Sequence, residues 1–216
     1  MRHSIIGEGI SRSFPAADKF VSSASLNADI LVIIGADAGT SYNAVPNKES
    51  YRAILIELGT ECLGVHTGEQ KGEEGSNTLG FARFRLGDTP PSQLVEIVRQ
   101  PATSAAALEA AQQLFQSHGL ITAVCADFPG RIVDRLIRPY YNAALHRLDT
   151  KLASASDMDL TIKLGLGYPE GPIELLERTG LAAHFDVTAA LHAALGEPAY
   201  APARRAQVAK ARSLSR

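Results

Sequence analysis

The sequence predicts an α/β fold, a small parallel sheet followed by an all-helical half, and three observations carry that expectation. Continuously apolar runs closed by glycine recur through the first 126 residues, the pattern of strands buried on both faces. A strand–helix–strand unit at 94–125 implies a parallel crossover. After 126 no strand pattern appears, and apolar residues recur at helical spacing. The expected domains are 1–126 and 127–216.

Ser4-Ile5-Ile6 is a short apolar run that stops at Gly7-Glu8-Gly9, and reads as a first strand. Residues 10–24 hold at most a weak helix, because Pro15 interrupts them. Asp29 to Gly35 (DILVIIG) is a strong buried strand. Residues 36–50, rich in Gly, Asn, Ser and Pro, read as a loop, and Ala53 to Leu58 as a third strand ended by Gly59. The polar, glycine-rich stretch 67–78 is expected to be an exposed loop. Leu94 to Val98 and Leu120 to Cys125 are strands joined by an alanine-rich helix that Ser104 caps and Gly119 ends.

Asp127-Phe128-Pro129-Gly130 opens a long helix with two adjacent apolar rows. One row is Ile132, Leu136, Tyr140, Ala144 and Leu148; the other is Val133, Ile137, Tyr141 and Leu145. Ser156-x-x-Asp159 resembles a capping box for a second helix stopping at Gly165. Gly171-Pro172 starts a third helix, which ends at Gly180, and a fourth runs from Leu181 to about Leu195.

The composition excludes several classes. A formal charge of −2 with acids and bases interspersed sets up no field for nucleic acid or an anionic membrane. No apolar run nears the ~20 residues of a membrane helix, and the start is unlike a signal peptide. Two cysteines, Cys62 and Cys125, suit a reducing compartment, so a cytoplasmic location is expected. The tail collects Arg204, Arg205, Lys210, Arg212 and Arg216 without acids, as a solvated helix end does.

The segment from Asp127 to Gly180 resembles the C-terminal domain of the 3-hydroxyacyl-CoA dehydrogenases. The residues that carry the likeness are DFPGRIVDRL (127–136), PYYNAAL (139–145), ASASDMD (153–159) and LGLGYPEGPIELL (164–176). It extends back through LVEIVRQPATS (94–104). The resemblance implies a reduced Rossmann-like parallel sheet followed by an all-α, 6-phosphogluconate-dehydrogenase-like domain. It also implies NAD as cofactor, an acyl-CoA ester as substrate and a homodimer formed through the helices; Tyr140, Tyr141 and the two apolar rows are wide enough to face both the sheet domain and a partner subunit. The front end is short. Asp29 to Asp37 is similar to the family's fourth strand, and it begins about 20 residues after Gly9. The stretch that normally holds the ribose-binding acid is absent between them.

Residue by residue, the chemistry departs from the family. A dinucleotide turn, Gly-x-Gly-x-x-Gly, is here Gly7-Glu8-Gly9-Ile10-Ser11-Arg12; Arg12 replaces the third glycine and Glu8 adds a carboxylate near the phosphates. Gly7 and Gly9 remain the candidate cofactor-binding residues. The family's base is a histidine in Gly-x-His-x-Phe, oriented by a glutamate; here the pattern is Gly80-Phe81-Ala82-Arg83-Phe84, and alanine moves no proton. Glu96 matches the orienting glutamate and, inside a buried strand, calls for a partner, with Arg83 or Arg85 the nearest candidates. Asp134 stands where the family's Val-Asn-Arg-Leu motif has a substrate-binding asparagine, and can pair with Arg131, Arg135 or Arg138. Glu96 and Asp134 are thus the candidate catalytic positions.

Cys62-x-x-x-His66, beside Glu61 and Glu69, offers a nucleophile pair or half a metal site, although no full metal set is evident. His146, His184 and His192 are expected on surfaces or at a dimer contact; His3 and His118 have no recognisable context. Three functions remain open: a 3-hydroxyacyl-CoA dehydrogenase-like oxidoreductase with a degraded site, a non-catalytic dimerising or acyl-CoA-binding relative, and a hydrolase using Cys62 and His66.

Overall fold

The computed structural model describes residues 1–215. Two compact units emerge: Met1–Arg85 with Pro90–Ile132, and Leu86–Thr89 with the chain from Val133 onward.

The first unit is a six-stranded sheet whose strands lie in sequence order: β1 (Ser4–Ile6), β2 (Ile30–Ile33), β3 (Ala53–Glu57), β4 (Thr78–Arg83), β5 (Leu94–Arg99) and β6 (Ile121–Ala126). All neighbours run parallel except β4 and β5, which are antiparallel. Alternation sorts the strand residues between two cores. Ile30, Val32, Ala53, Leu55, Leu79, Phe81, Val95 and Ile97 pack with Phe14, Phe20 and the apolar face of α4 (Ala105–Ser117). Leu31, Ile33, Ile54, Ile56 and Val98 meet α2 (Ala38–Ala44) and Leu63 on the other side. As expected, Ser104 caps α4, its hydroxyl accepting from the Ala107 N–H.

Two local expectations are corrected. The weak helix at 10–24 shrinks to one turn, α1 (Lys19–Ser22), which Asp18 caps. The expected loop 36–50 instead contains α2 and a 3-10 turn at Lys48–Ser50. Poor helix formers make α2, but burial of Ala38 and Tyr42 against the sheet supplies what propensity does not. A further short helix, α3 (Gly64–Thr67), follows β3.

Residues 127–132, read from sequence as opening the helical half, stay with the sheet unit. The Asp127 carboxylate accepts the N–H groups of Leu63 and Gly64 at 2.6 and 2.8 Å, and the Gly130 N–H donates to the Thr60 carbonyl. The long helix α5 therefore begins at Val133 and runs to Asp149.

In the second unit α5 is followed by α6 (Ala155–Leu166), α7 (Pro172–Thr179), α8 (Leu181–Leu195), a 3-10 turn (Pro198–Tyr200) and α9 (Arg204–Leu214). Pro139 sits inside α5 and has no N–H for the Arg135 carbonyl; the Tyr200 hydroxyl donates to that carbonyl instead, at 3.1 Å. The cap of α6 is Ser154 rather than Ser156, and the helix ends at Gly167 rather than Gly165. Asp159 is then free for another duty: both its carboxylate oxygens accept N–H groups at the start of α7, from Ile173 and Glu174 at 2.8 and 3.0 Å. Gly171 is needed there, since a Cβ would lie 2.3 Å from Asp159. Arg216, the last member of the cationic tail cluster, lies outside the described residues. Among the described residues no helix is long and apolar enough to cross a membrane.

Candidate functional site

The turn after β1 is built on close backbone contact. Gly7 has φ +134°, and a Cβ there would stand 1.9 Å from the Ile34 carbonyl oxygen. Gly35, after β2, would clash at 2.2 Å with the Glu8 carbonyl oxygen. The two loops thus interlock through glycines, with Gly9 at φ +83° completing the turn. No helix opens directly after Gly9; the next helical residues are those of α1.

A residue that sequence reading passed over sits at this junction. Glu57, the last residue of β3, is buried. Its Oε1 accepts the Ser13 N–H at 2.6 Å and the Ser11 hydroxyl at 3.0 Å, and its Oε2 accepts the Gly35 N–H at 2.8 Å. A carboxylate of the protein itself therefore takes up donors from the loops that follow β1 and β2. Beside it lies a cavity of about 180 Å³, lined by Arg12, Gly35, Glu57, Gly59, Glu61 and His66 among others.

His66 in that cavity pairs with Glu61, Nε2 to Oε1 at 3.4 Å. The imidazole lies against α2, where only a glycine leaves room: a Cβ on Gly39 would meet Nδ1 at 2.3 Å. Burial alone would raise the Glu61 carboxyl, but the hydrogen bonds from His66 and the Gly59 N–H outweigh it and hold it at about 2. Burial and the charges of Asp127, Glu69 and Glu61 push the Cys62 thiol up. Among the described residues no cluster of three His, Cys, Asp or Glu side chains is placed to hold a metal.

Glu96 lies at the centre of β5, directly across the antiparallel pair from Ala82. Residues so opposed share a face, so a histidine at 82 would have reached this carboxylate. The partner expected from sequence, Arg83, is opposite Val95 and leaves on the other face. Its guanidinium meets Asp18 at 3.2 Å and the Ser92 and Ser13 carbonyls. Glu96 instead lies 3.5 Å from Nε of the buried Arg131 and accepts the Ile132 N–H at 2.8 Å. Arg131 has φ +52°, a left-handed backbone that carries the guanidinium back onto β5. Nearby, burial and the Glu96 charge push the Cys125 thiol up to about 11.

In the helical unit Asp134 pairs with Arg138, one of the three arginines considered from sequence, at 2.7 Å. The contact opens a buried network. Arg138 lies 3.1 Å from Nδ1 of His184, and His184 Nε2 lies 2.9 Å from Asn142 Oδ1. Asn142 Nδ2 donates to the Ala199 and Ala201 carbonyls. Because a guanidinium only donates, Nδ1 must accept and Nε2 must carry the proton, so His184 is the neutral Nε2–H tautomer. Burial and the Arg138 charge lower its pKa to about 3. His184, expected at a surface or dimer contact, is 1% exposed. His3, too, is buried, stacked on Phe20. Sequence gave no signal for either, because their partners are distant in the chain.

Comparison with known proteins bears on the same residues. Residues 130–216 match the family model of the 3-hydroxyacyl-CoA dehydrogenase C-terminal domain. The mitochondrial hydroxyacyl-coenzyme A dehydrogenase of Sus scrofa is 42% identical over 92 residues, 43% of this chain and 29% of its own length. The 3-hydroxybutyryl-CoA dehydrogenase of Bradyrhizobium diazoefficiens is 33% identical over 117 residues, 54% of this chain and 40% of its own. The solved 3-hydroxybutyryl-CoA dehydrogenase of Escherichia coli K12 superposes with a TM-score of 0.70 at 26% identity, covering 84% of this chain and 39% of that one. The (S)-3-hydroxybutyryl-CoA dehydrogenase PaaH1 of Ralstonia eutropha gives a TM-score of 0.70 at 22% identity over 86% of this chain, a likeness of fold. The chain spans 29% and 40% of the two curated relatives named. From residue 130 the chain carries a domain that matches the 3-hydroxyacyl-CoA dehydrogenase C-terminal domain, and the sheet before it is similar in fold to the solved dehydrogenases.

Proposed function

We propose that this 3-hydroxyacyl-CoA dehydrogenase-like chain is a non-catalytic relative that dimerises and binds an acyl-CoA ester. The observation that carries the reading is the pairing of Ala82 with Glu96: the position facing the carboxylate has no imidazole, and the carboxylate is held by Arg131 and the Ile132 N–H. Acid–base work needs a group that exchanges a proton with substrate, and a guanidinium stays protonated.

The glycine turn does not fit NAD. A pyrophosphate needs free backbone N–H groups at a helix start. Here the turn is packed against Ile34, no helix opens directly after Gly9, and beside it the Ser13 and Gly35 N–H groups already go to Glu57. A hydrolase centred on Cys62 is less well supported, because the raised thiol resists forming a thiolate and His66 turns to Glu61. For the dimer, the exposed α6 leucines Leu160, Leu164 and Leu166 offer a surface for a second copy.

Thermal shift with NAD, NADH, CoA and acetoacetyl-CoA at millimolar concentration tests this. The nicotinamides should move the melting temperature by under about one degree, while acetoacetyl-CoA moves it by several, since a ligand bound only to the folded state stabilises it. A nicotinamide shift equal to that of the thioester overturns the proposal.

A further inference from the structure

Within the helical unit, α5, the turn after it, α6 and the start of α7 surround a cavity of about 360 Å³. Tyr140, Ala144, Met158, Ile162 and Pro172 give it an apolar wall, and the exposed Arg147 also lines it. Its size falls within the ~300–1,000 Å³ of small-molecule sites, which are apolar with a few placed polar groups.

Two such groups are available here. The Tyr140 hydroxyl is buried without a hydrogen-bond partner among the described residues. A buried hydroxyl with no partner is costly, so a ligand acceptor there recovers free energy. Among the described residues Arg147 is the one cation of the lining, and the one acid there, Asp157, already accepts the Ser154 hydroxyl. Positions 140, 144 and 147 share one face of α5, and helical side chains lean toward the helix N-terminus, which brings Arg147 back over the cavity.

We propose that this cavity binds a medium-chain aliphatic carboxylate, its chain along Met158 and Ile162 and its head group met by Arg147 and the Tyr140 hydroxyl. The inference is independent of the acyl-CoA reading, since the ligand is the free acid and neither nucleotide nor thioester takes part.

Calorimetric titration of the full chain with hexanoate, octanoate and decanoate tests it. Affinity should rise about fourfold per added methylene until the cavity is filled, then level off. Met158→Trp, which fills the space, should abolish binding. Arg147→Gln, a surface change that leaves the packing intact, should weaken octanoate at least fivefold, and Tyr140→Phe should weaken it less. No heat at millimolar acid overturns the proposal, as does an affinity indifferent to chain length or unchanged in Arg147→Gln. Failure of wild-type chain to bind octanoate, together with a change of oligomeric state in Met158→Trp, overturns it in favour of a second copy covering the groove.

Discussion

Replacing Glu57 by glutamine probes the junction that stands where a cofactor turn would be. The carboxylate accepts from the Ser13 N–H and Ser11 hydroxyl at one oxygen and from the Gly35 N–H at the other. An amide keeps one oxygen, which the shorter Ser13 contact claims. Its NH2 then faces the Gly35 N–H, donor against donor, with both groups buried. A hydrogen bond to a charged group contributes about 1.5–3 kcal/mol, and an unsatisfied buried donor costs about 1–3 more. Glu57→Gln should therefore cost about 2–4 kcal/mol. For a chain of this size that lowers the melting temperature by roughly 5–15 °C. Urea unfolding followed by circular dichroism at neutral pH measures it. A loss below about 0.5 kcal/mol, the scale of a surface substitution, refutes the argument that Glu57 ties the two loops together.

Other perturbations test other parts. In Gly7→Ala the new Cβ meets the Ile34 carbonyl oxygen at 1.9 Å and the φ of +134° is unsuited to alanine; expression of soluble chain should collapse, and a variant as stable as wild type contradicts the tight turn. Arg131→Met leaves Glu96 without its buried cation and should cost on the order of 3 kcal/mol in denaturant unfolding; a neutral result means that the pair is incidental. His184, held at about 3 when folded against an ordinary value of 6.5, contributes stability that is present above pH 6.5 and lost as pH falls toward 3. By pH 4.5 that loss should reach roughly 2–3 kcal/mol. His184→Gln, which can still accept from Arg138 and donate to Asn142, should show a smaller drop between pH 7 and 4.5 than wild type; equal drops refute the assignment.

Much of the sheet is legible in sequence: β1, β2 and β3 are short apolar runs ended by glycine, and β2 (ILVI) and β3 (AILIE) fill both cores as such runs must, whereas β4 is no such run and its antiparallel pairing with β5 departs from the expected parallel sheet. Helix α4 is equally plain, since Ser104 and the alanines act locally. What escapes is whatever distant contacts decide. α2 has the composition of a loop and exists because Tyr42 packs on the sheet and its hydroxyl reaches Thr78 at 3.4 Å. The choice of Ser154 over Ser156 as the α6 cap leaves Asp159 to hold α7, a demand placed by another helix. The site shows the same division. The absence of a histidine at 82 is visible in the pattern around it, whereas the identity of Glu96's partner depends on a left-handed residue after β6. Glu57 reads as an ordinary strand residue, because its donors come from two separate loops.

The most direct test of the account is NADH oxidation by the purified full chain with acetoacetyl-CoA as acceptor. With no imidazole facing Glu96 and the junction at Gly35 occupied by Glu57, the rate should equal that of the protein-free mixture. Turnover above that background which disappears in Glu96→Gln would contradict it, because the carboxylate would then be serving a proton transfer rather than an internal ion pair.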